Sequence, residues 1–331
     1  MSAVGTRSAV LDGVRGLSIA TVLVAHWLPL NALRPRLNES VGMLGMALFF
    51  VLSGYFIGRQ VLVHVHPLEF VAKRLLRILP LAWLVAVVVA AIWHFEPSTL
   101  AAHLLFYANL SDAGMRVPLD HYWSLCVELQ FYALATALLV FRPGVARVLV
   151  PALLVAVTGY RVYMSGYSGS ITWYRIDDIL AGFVLAILLH SPSRREAIGF
   201  FERPVVLWGA AALLCLACYN VDGNVASFLR PYAVLCLTGA LLCQPRSAAA
   251  AVLSRPFWTY LATVSFAVYV LHVPLEHTWL GSGDVTEKYL KRPLLLAAVF
   301  LLAHLSTFYF ERHFIAMGHR LRMSNDAVRS V

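Results

Sequence analysis

Long apolar blocks of about 20 residues, separated by short connectors rich in Arg, run through almost the whole chain, and blocks of that length match membrane-crossing helices. The pattern predicts about ten spans, near 16–33, 41–59, 78–95, 121–141, 145–164, 173–190, 204–222, 226–243, 257–280 and 293–311. An even count puts both termini on one side. The longest connector on the other side is 96–120, whose middle stretch AAHLLFYANL is apolar enough to lie in the interface or re-enter the membrane. No internal repeat marks an inverted-repeat transporter.

Composition agrees with this pattern. Of 331 residues, 60% are hydrophobic and 13% charged, against about 45–50% and about 25% in soluble domains, so an ordinary soluble globule is excluded. The expected fold class is an all-α polytopic membrane protein, one domain over 1–331 with a core at 11–314, a short cytoplasmic tail at 315–331 and no appended soluble domain. The net charge of +9 would suggest nucleic acid on a soluble protein; here no nucleic-acid fold accompanies it. Of the 26 Lys and Arg residues, 17 fall on the side of the termini, which the positive-inside rule makes cytoplasmic and next to anionic lipid. Cys126, Cys215, Cys218, Cys236 and Cys243 all sit in or beside apolar blocks and read as small packing residues, not as a metal or redox set.

Ionisable residues at membrane depth are costly, so each calls for a partner or a function. His26 lies in the first span, Glu128 in the fourth, Arg175, Asp177 and Asp178 at the start of the sixth, and His272 and Glu276 in the ninth. On the predicted topology His26, Glu128 and His272 lie about seven or eight residues from the outer ends of their spans, with Asp177 near the same rim. One outer chamber could gather them. An imidazole held by a carboxylate can take a proton from a hydroxyl, which makes His26 a candidate base and Glu128 its orienting group. Structural readings stand beside these: a hydrogen-bonded His26, Glu128 as an interhelical clamp, and His272 as either an acceptor-binding residue or the partner of Glu276.

A second set is expected on the cytoplasmic side. Arg74 and Arg77 are three apart and share a helix face, and Arg15 sits between Gly13 and Gly16. Three arginines there suit phosphate groups through charge-assisted forks; topology anchoring, lipid contact and an Asp12–Arg15 pair are the competing accounts. Gly54 and Gly58 have the spacing of a helix-packing motif, and Ser53 just before them lacks the surroundings of a nucleophile elbow. Trp123 and Tyr122 fit an aromatic belt at a pocket mouth.

Taken in order, LDGVRGLSIATVLVAHW, FFVLSGYFIG, RLLRILP, HYWSLCVELQFY, RIDDILAGFVLA, VSFAVYVLHVPL and STFYFERHF resemble acyltransferase family 3, the integral membrane acyltransferases that modify polysaccharide, lipopolysaccharide and macrolide-type sugars. The resemblance runs from Leu11 to Phe314. Arg15 and His26 match the family's Arg and His ten residues apart, Arg74 and Arg77 its RxxR, and Trp123, Ser124, Glu128, Phe131 and Tyr132 its WSLxxExxFY block. The chain departs from many relatives at Glu311 to His313, where they carry Pro after the Glu-Arg pair, and in having no SGNH-type hydrolase-like domain.

The resemblance implies a multi-pass enzyme of the bacterial cytoplasmic membrane that moves an acyl group, usually acetyl, from cytoplasmic acyl-coenzyme A to a sugar hydroxyl in the outer half of the membrane. It implies no permanently bound cofactor and no metal. Arg15, Arg74 and Arg77 would hold the coenzyme phosphates, His26 would act as base with Glu128 behind it, and Trp123, Ser124, Arg175, Asp177 and His272 would contact acceptor or oxyanion. A transporter or flippase that moves a glycan or lipid without acyl transfer is the rival class.

Overall fold

In the computed structural model the described residues are 8–110, 114–141, 143–166, 169–219 and 223–321, and they are helical almost throughout. The tail residues 322–331, including two of the arginines used for orientation, lie outside them, as do Arg7 and Arg142. The helices are α1 (Ala9–Trp27), α2 (Leu30–Leu33), α3 (Leu37–Leu62), α4 (Pro67–Ile92), α5 (Pro97–Leu104), α6 (Trp123–Phe141), α7 (Pro143–Tyr163) and α8 (Ile176–His190). They continue with α9 (Arg194–Phe201), α10 (Pro204–Cys218), α11 (Arg230–Cys243), α12 (Ala248–Leu253), α13 (Pro256–Glu276), α14 (Val285–Leu305) and α15 (Arg312–Arg320). A π-helical turn, Ser306–Glu311, joins the last two into one 36-residue stretch, so residues 315–320 are helix rather than loose tail.

Eight helices among the described residues are long and apolar enough to cross a membrane, and a ninth results if α8 and α9, bent by 116°, count as one span. Ten was too many. The helix α10 has 15 residues and a length of about 22 Å, short of the roughly 30 Å hydrocarbon core. The register of the first span also differs from the expected 16–33. Pro29 forces Leu28 into an extended conformation (φ −100°, ψ 144°), so α1, which starts at Ala9, stops at Trp27. Asp12 thereby falls in the first turn, where its charge suits the helix dipole, and Arg15 lies within the helix instead of ending it. The connector 96–120 contains α5 and a short 3₁₀ turn at Ala108–Leu110; His103 and Asn109 are buried there while Leu105 and Leu110 are exposed.

The chain divides into two compact units. The first comprises Met1–Arg59, Arg147–Gly169 and Trp173–Ser265. Its centre is α8, buried from Asp177 to Gly182 and beyond, which crosses α3 so closely that a side chain on Gly54 would overlap the Ile179 carbonyl and one on Gly182 the Val51 carbonyl. Packing, as the small-residue spacing suggested, is what Gly54 provides. The second unit comprises Gln60–Ala146, Ser170–Thr172 and Phe266–Val331, with α4 packed against α5, α6 and α15. All five cysteines are free thiols; Cys126 and Cys218 are buried, but Cys215 is exposed on the outside of α10 and is no core residue.

Candidate active site

In the first unit His26 occupies the last turn of α1, one residue before its end, and its side chain is exposed. The depth of seven residues expected for it is therefore corrected to the helix terminus, for the reason Pro29 supplies. Arg15, about three turns earlier, is half-buried and lays its guanidinium 5.8 Å from the centre of the Phe56 ring.

The same unit holds a sealed cluster of charge. Arg161 donates to Asp177 Oδ2 and to the Gly166 carbonyl (3.1 Å), while Arg230 Nε bridges both oxygens of Asp178 (3.0 and 2.9 Å) and its Nη2 stands 3.6 Å from Asp177 Oδ1. The Asp178 amide also donates to Asp177 Oδ1 (3.0 Å). Arg175 donates to the Gly169 carbonyl (2.5 Å), and both Arg175 and Arg230 rest on the Met43 sulfur. Arg161, Asp177 and Arg230 are completely buried. Both oxygens of Asp177 are thus engaged with protein groups, which gives this predicted substrate ligand an architectural task. Sequence reasoning missed Arg161 and Arg230. They lie inside apolar blocks, where the rule applied to Glu128 and His272 would have found them.

In the second unit the predicted outer and cytoplasmic sets run together. The Tyr132 hydroxyl donates to Glu128 Oε1 (2.6 Å), and the Arg74 guanidinium lies 5.6 Å from the Tyr132 ring centre and 5.8 Å from that of Phe70. Arg77, one turn on, is within electrostatic reach of Glu128 and Glu311. Glu311 accepts hydrogen bonds from Ser306 (2.8 Å) and Thr307 (3.3 Å) inside the π turn, a helix distortion that often marks functional sites. Among the described residues, no hydrogen bond or ion pair joins Arg74 or Arg77 to a carboxylate or carbonyl, and both are half-buried. Glu128 therefore sits with the RxxR pair. The expected separation of Glu128 and these arginines into two depths is not what the structure has, because α4 is 26 residues long and Tyr132 carries the cluster one turn below Glu128.

A second polar group surrounds the start of α6. Ser124 Oγ and the Tyr269 hydroxyl are 2.6 Å apart, Tyr269 donates to the His121 carbonyl (2.5 Å), and the His121 and His272 rings stand 5.2 Å apart. His272 Nδ1 donates to the Tyr269 carbonyl (2.7 Å), whereas Glu276 pairs with Arg292 (2.9 Å), so the suggested His272–Glu276 pair does not form. Trp123 is half-buried beside them. His121 and Tyr269 were missed, although both lie inside the strings that carry the family resemblance. An apolar groove of about 530 Å³ on the same unit, walled by Leu84, Val88, Ile92, Leu275, Leu302 and Phe310, contains none of the predicted site residues. Among the described residues no three of His, Cys, Asp and Glu are grouped to hold a metal ion.

Half-buried arginine forks beside a hydroxyl-supported carboxylate suit an anionic ligand, and a family comparison gives that ligand a context. The model of the acyltransferase domain family Acyl_transf_3 matches residues 9–312. The chain belongs to that family. It is 32% identical over 203 residues to BcsY of Komagataeibacter xylinus, a membrane-bound transacylase by its name, covering 54% of this chain and 50% of that protein. It is 26% identical to the peptidoglycan O-acetyltransferase OatA of Listeria monocytogenes, covering 91% of this chain and 54% of the relative. With the O-acetyltransferase OatA of Staphylococcus aureus it shares 28% identity over 158 residues, 40% of this chain and 24% of the relative. The chain spans about half the length of BcsY and of the Listeria protein. No solved structure matches it. The apolar helices and these bacterial membrane relatives make this family member a multi-pass protein of the bacterial cytoplasmic membrane.

Proposed function

We propose that this chain is an O-acyltransferase that moves an acyl group, acetyl in the simplest case, from cytoplasmic acyl-coenzyme A to a hydroxyl of a glycan, a lipid-linked sugar or a glycosylated small molecule. The observation that carries this reading is the pair Arg74 and Arg77, the first over the Phe70 and Tyr132 rings and both, among the described residues, with no carboxylate bonded to their forks, in a chain of the acyltransferase family. Guanidinium forks bind phosphate oxygens in pairs, so these two residues hold the coenzyme phosphates. Glu128, fixed by Tyr132, limits the net charge around the forks and keeps them aimed at the ligand.

His26 is the general base. It takes the proton from the acceptor hydroxyl as that oxygen attacks the thioester carbonyl; the C–S bond then breaks and the thiolate recovers the proton, leaving free coenzyme A and the ester. The Trp123 indole N–H is the candidate donor to the oxyanion, because Tyr269 gives its proton to the His121 carbonyl and Ser124 gives its own to Tyr269, and His272 is a candidate for the acceptor. Acceptor recognition belongs to the outer half of the membrane, and cytoplasmic basic residues face anionic lipid.

Thiol release from acetyl-coenzyme A by purified protein, with mass spectrometry of host glycans and glycosylated small molecules, tests the proposal. Release should need an acceptor and be lost in His26→Ala. Glycan or lipid movement without thiol release would instead make the chain a transporter.

A further inference from the structure

One end of the first unit gathers arginines that acyl transfer does not use. The Arg59 guanidinium, in the last turn of α3, lies 5.8 Å from the centre of the Tyr55 ring, and Arg194, at the start of α9, acts through space on the same Tyr55 hydroxyl. Cys243, at the end of α11, is within the same reach, so the end of α3, the start of α9 and the end of α11 meet here. Tyr55 is buried and Arg59 half-buried, while Arg194 and Arg195 are exposed. Among the described residues, no hydrogen bond or ion pair joins the side chain of Arg59, Arg194 or Arg195 to a carboxylate or carbonyl.

Tertiary contacts hold this end in shape. With 8 residues, α9 is too short to be stable alone, so its packing decides where it lies. The chain bends by 116° between α8 and α9, which takes α9 across the end of the unit instead of onward along the span. Phe201 is buried against Gly239, where a Cβ would come within 2.6 Å of its ring, and Gln244 Nε2 donates to the Phe201 and Arg203 carbonyls (2.7 and 3.1 Å). The opposite, exposed part of α9 carries Arg194 and Arg195, which with Pro192, Ile198 and Glu202 wall a hollow of about 570 Å³.

We propose that Arg59, Arg194 and Arg195 form a binding site for the phosphate headgroup of an anionic membrane phospholipid. Guanidinium forks match phosphate oxygens, and three of them against the single carboxylate of Glu202 leave an excess of positive charge at the hollow. A short helix laid across the end of a spanning bundle sits at headgroup level, and the exposed Phe200 beside the arginines suits the apolar part of the same lipid. General lipid contact and topology anchoring are the ordinary fate of arginines at a membrane surface. A single arginine over a ring is also common in this molecule, as Arg34 on Tyr219 and Arg116 on Phe95 show. What sets this end apart is that Arg59 and Arg194 converge on one hydroxyl beside a walled hollow.

Native mass spectrometry of the full-length protein in detergent, titrated with phosphatidylglycerol or phosphatidylcholine, tests the site without any activity readout. The wild type should hold phosphatidylglycerol about tenfold or more tighter, the scale expected of two arginines at a charged surface. Arg59→Gln/Arg194→Gln should bring the two lipids within about twofold of each other, and Arg59→Lys/Arg194→Lys, which keeps charge but loses the forks, should retain part of the preference. Arg246→Gln removes an equal charge from an exposed position between α11 and α12 and should leave the preference intact. Should the double glutamine variant lose its fold, the exposed single variants Arg194→Gln and Arg195→Gln carry the same reading at smaller amplitude. An unchanged preference in the arginine-to-glutamine variants of the site, or an equal loss in Arg246→Gln, overturns the proposal. So does displacement of bound phosphatidylglycerol by coenzyme A, which would make the three arginines a nucleotide site.

Discussion

Two groups of membrane-embedded charge in this protein use the same side chains differently. In the first unit, guanidiniums meet carboxylates directly: Arg161 on Asp177, Arg230 on Asp178, all of them sealed from solvent. In the second, carboxylates are satisfied by hydroxyls, Tyr132 on Glu128 and Ser306 with Thr307 on Glu311, while Arg74 lies over aromatic rings. Hydroxyl support leaves the forks of Arg74 and Arg77 uncommitted to protein acceptors. The difference separates architecture from chemistry better than depth or residue type does. A buried cation consumed by its own anion holds helices together, and one propped by rings and kept near an anion is ready for a ligand.

The strongest way to break this contrast is to remove one anion from the sealed cluster. Asp177→Asn leaves Arg161 without its carboxylate, and breaking a buried pair costs about 3–5 kcal/mol. The expected outcome is a sharp loss of monodisperse protein by fluorescence size exclusion, or a large fall in Tm. A stable Asp177→Asn protein with impaired acceptor use would return Asp177 to the substrate.

The open cluster should answer in the other measurement. Arg74→Ala or Arg77→Ala removes charge-assisted bonds of about 1.5–3 kcal/mol each, so the donor KM should rise about ten- to a hundredfold with little change in Tm. Lysine at either position should restore charge but only part of the affinity, because it lacks the planar fork. Collapse of Tm in these variants would make the arginines structural, as the topology-anchor account holds.

Tyr132→Phe is a milder probe of the same support. It deletes one hydroxyl bonded to a carboxylate and keeps the ring under Arg74, a loss at the low end of the about 1.5–3 kcal/mol scale of charged hydrogen bonds. Thiol release should fall roughly tenfold in kcat/KM. No change would place Glu128 under other control than Tyr132.

Much of this arrangement was legible in the chain, and the parts that were not have physical causes. Hydropathy located the helices, but a window average ran the first span past Pro29 and so set His26 too deep. The same averaging carried the predicted span past Cys218, where α10 ends. Arg161 and Arg230 lie inside the predicted spans 145–164 and 226–243, where a tally of Lys and Arg by side of the membrane hides their depth. Glu128 and the RxxR pair were assigned to different depths on the assumption that a side chain acts level with its own backbone. Arginine reaches several ångströms along a helix surface, and Tyr132 meets it from the other side. A reciprocal clasp between α1 and α3, in which the Asn31 and Asn38 side chains each accept the other's backbone amide, left no trace in periodicity, since it depends on a turn geometry set by Pro29 and Arg36.

The smallest predicted effect sharpens the account of the sealed cluster. It contains three guanidiniums, Arg161, Arg175 and Arg230, against two carboxylates, and the sulfur of Met43 lies against two of the three. A thioether is a weak, polarisable acceptor, so it eases a neighbouring cation without neutralising it. Met43→Leu conserves volume and removes only that softness. Swaps of this kind usually cost less than about 1.5 kcal/mol, so Tm should drop slightly and remain far above that of Asp177→Asn. Were Met43→Leu as damaging as Asp177→Asn, the excess charge would be held chiefly by sulfur, and the cluster would be less self-sufficient than its ion pairs make it.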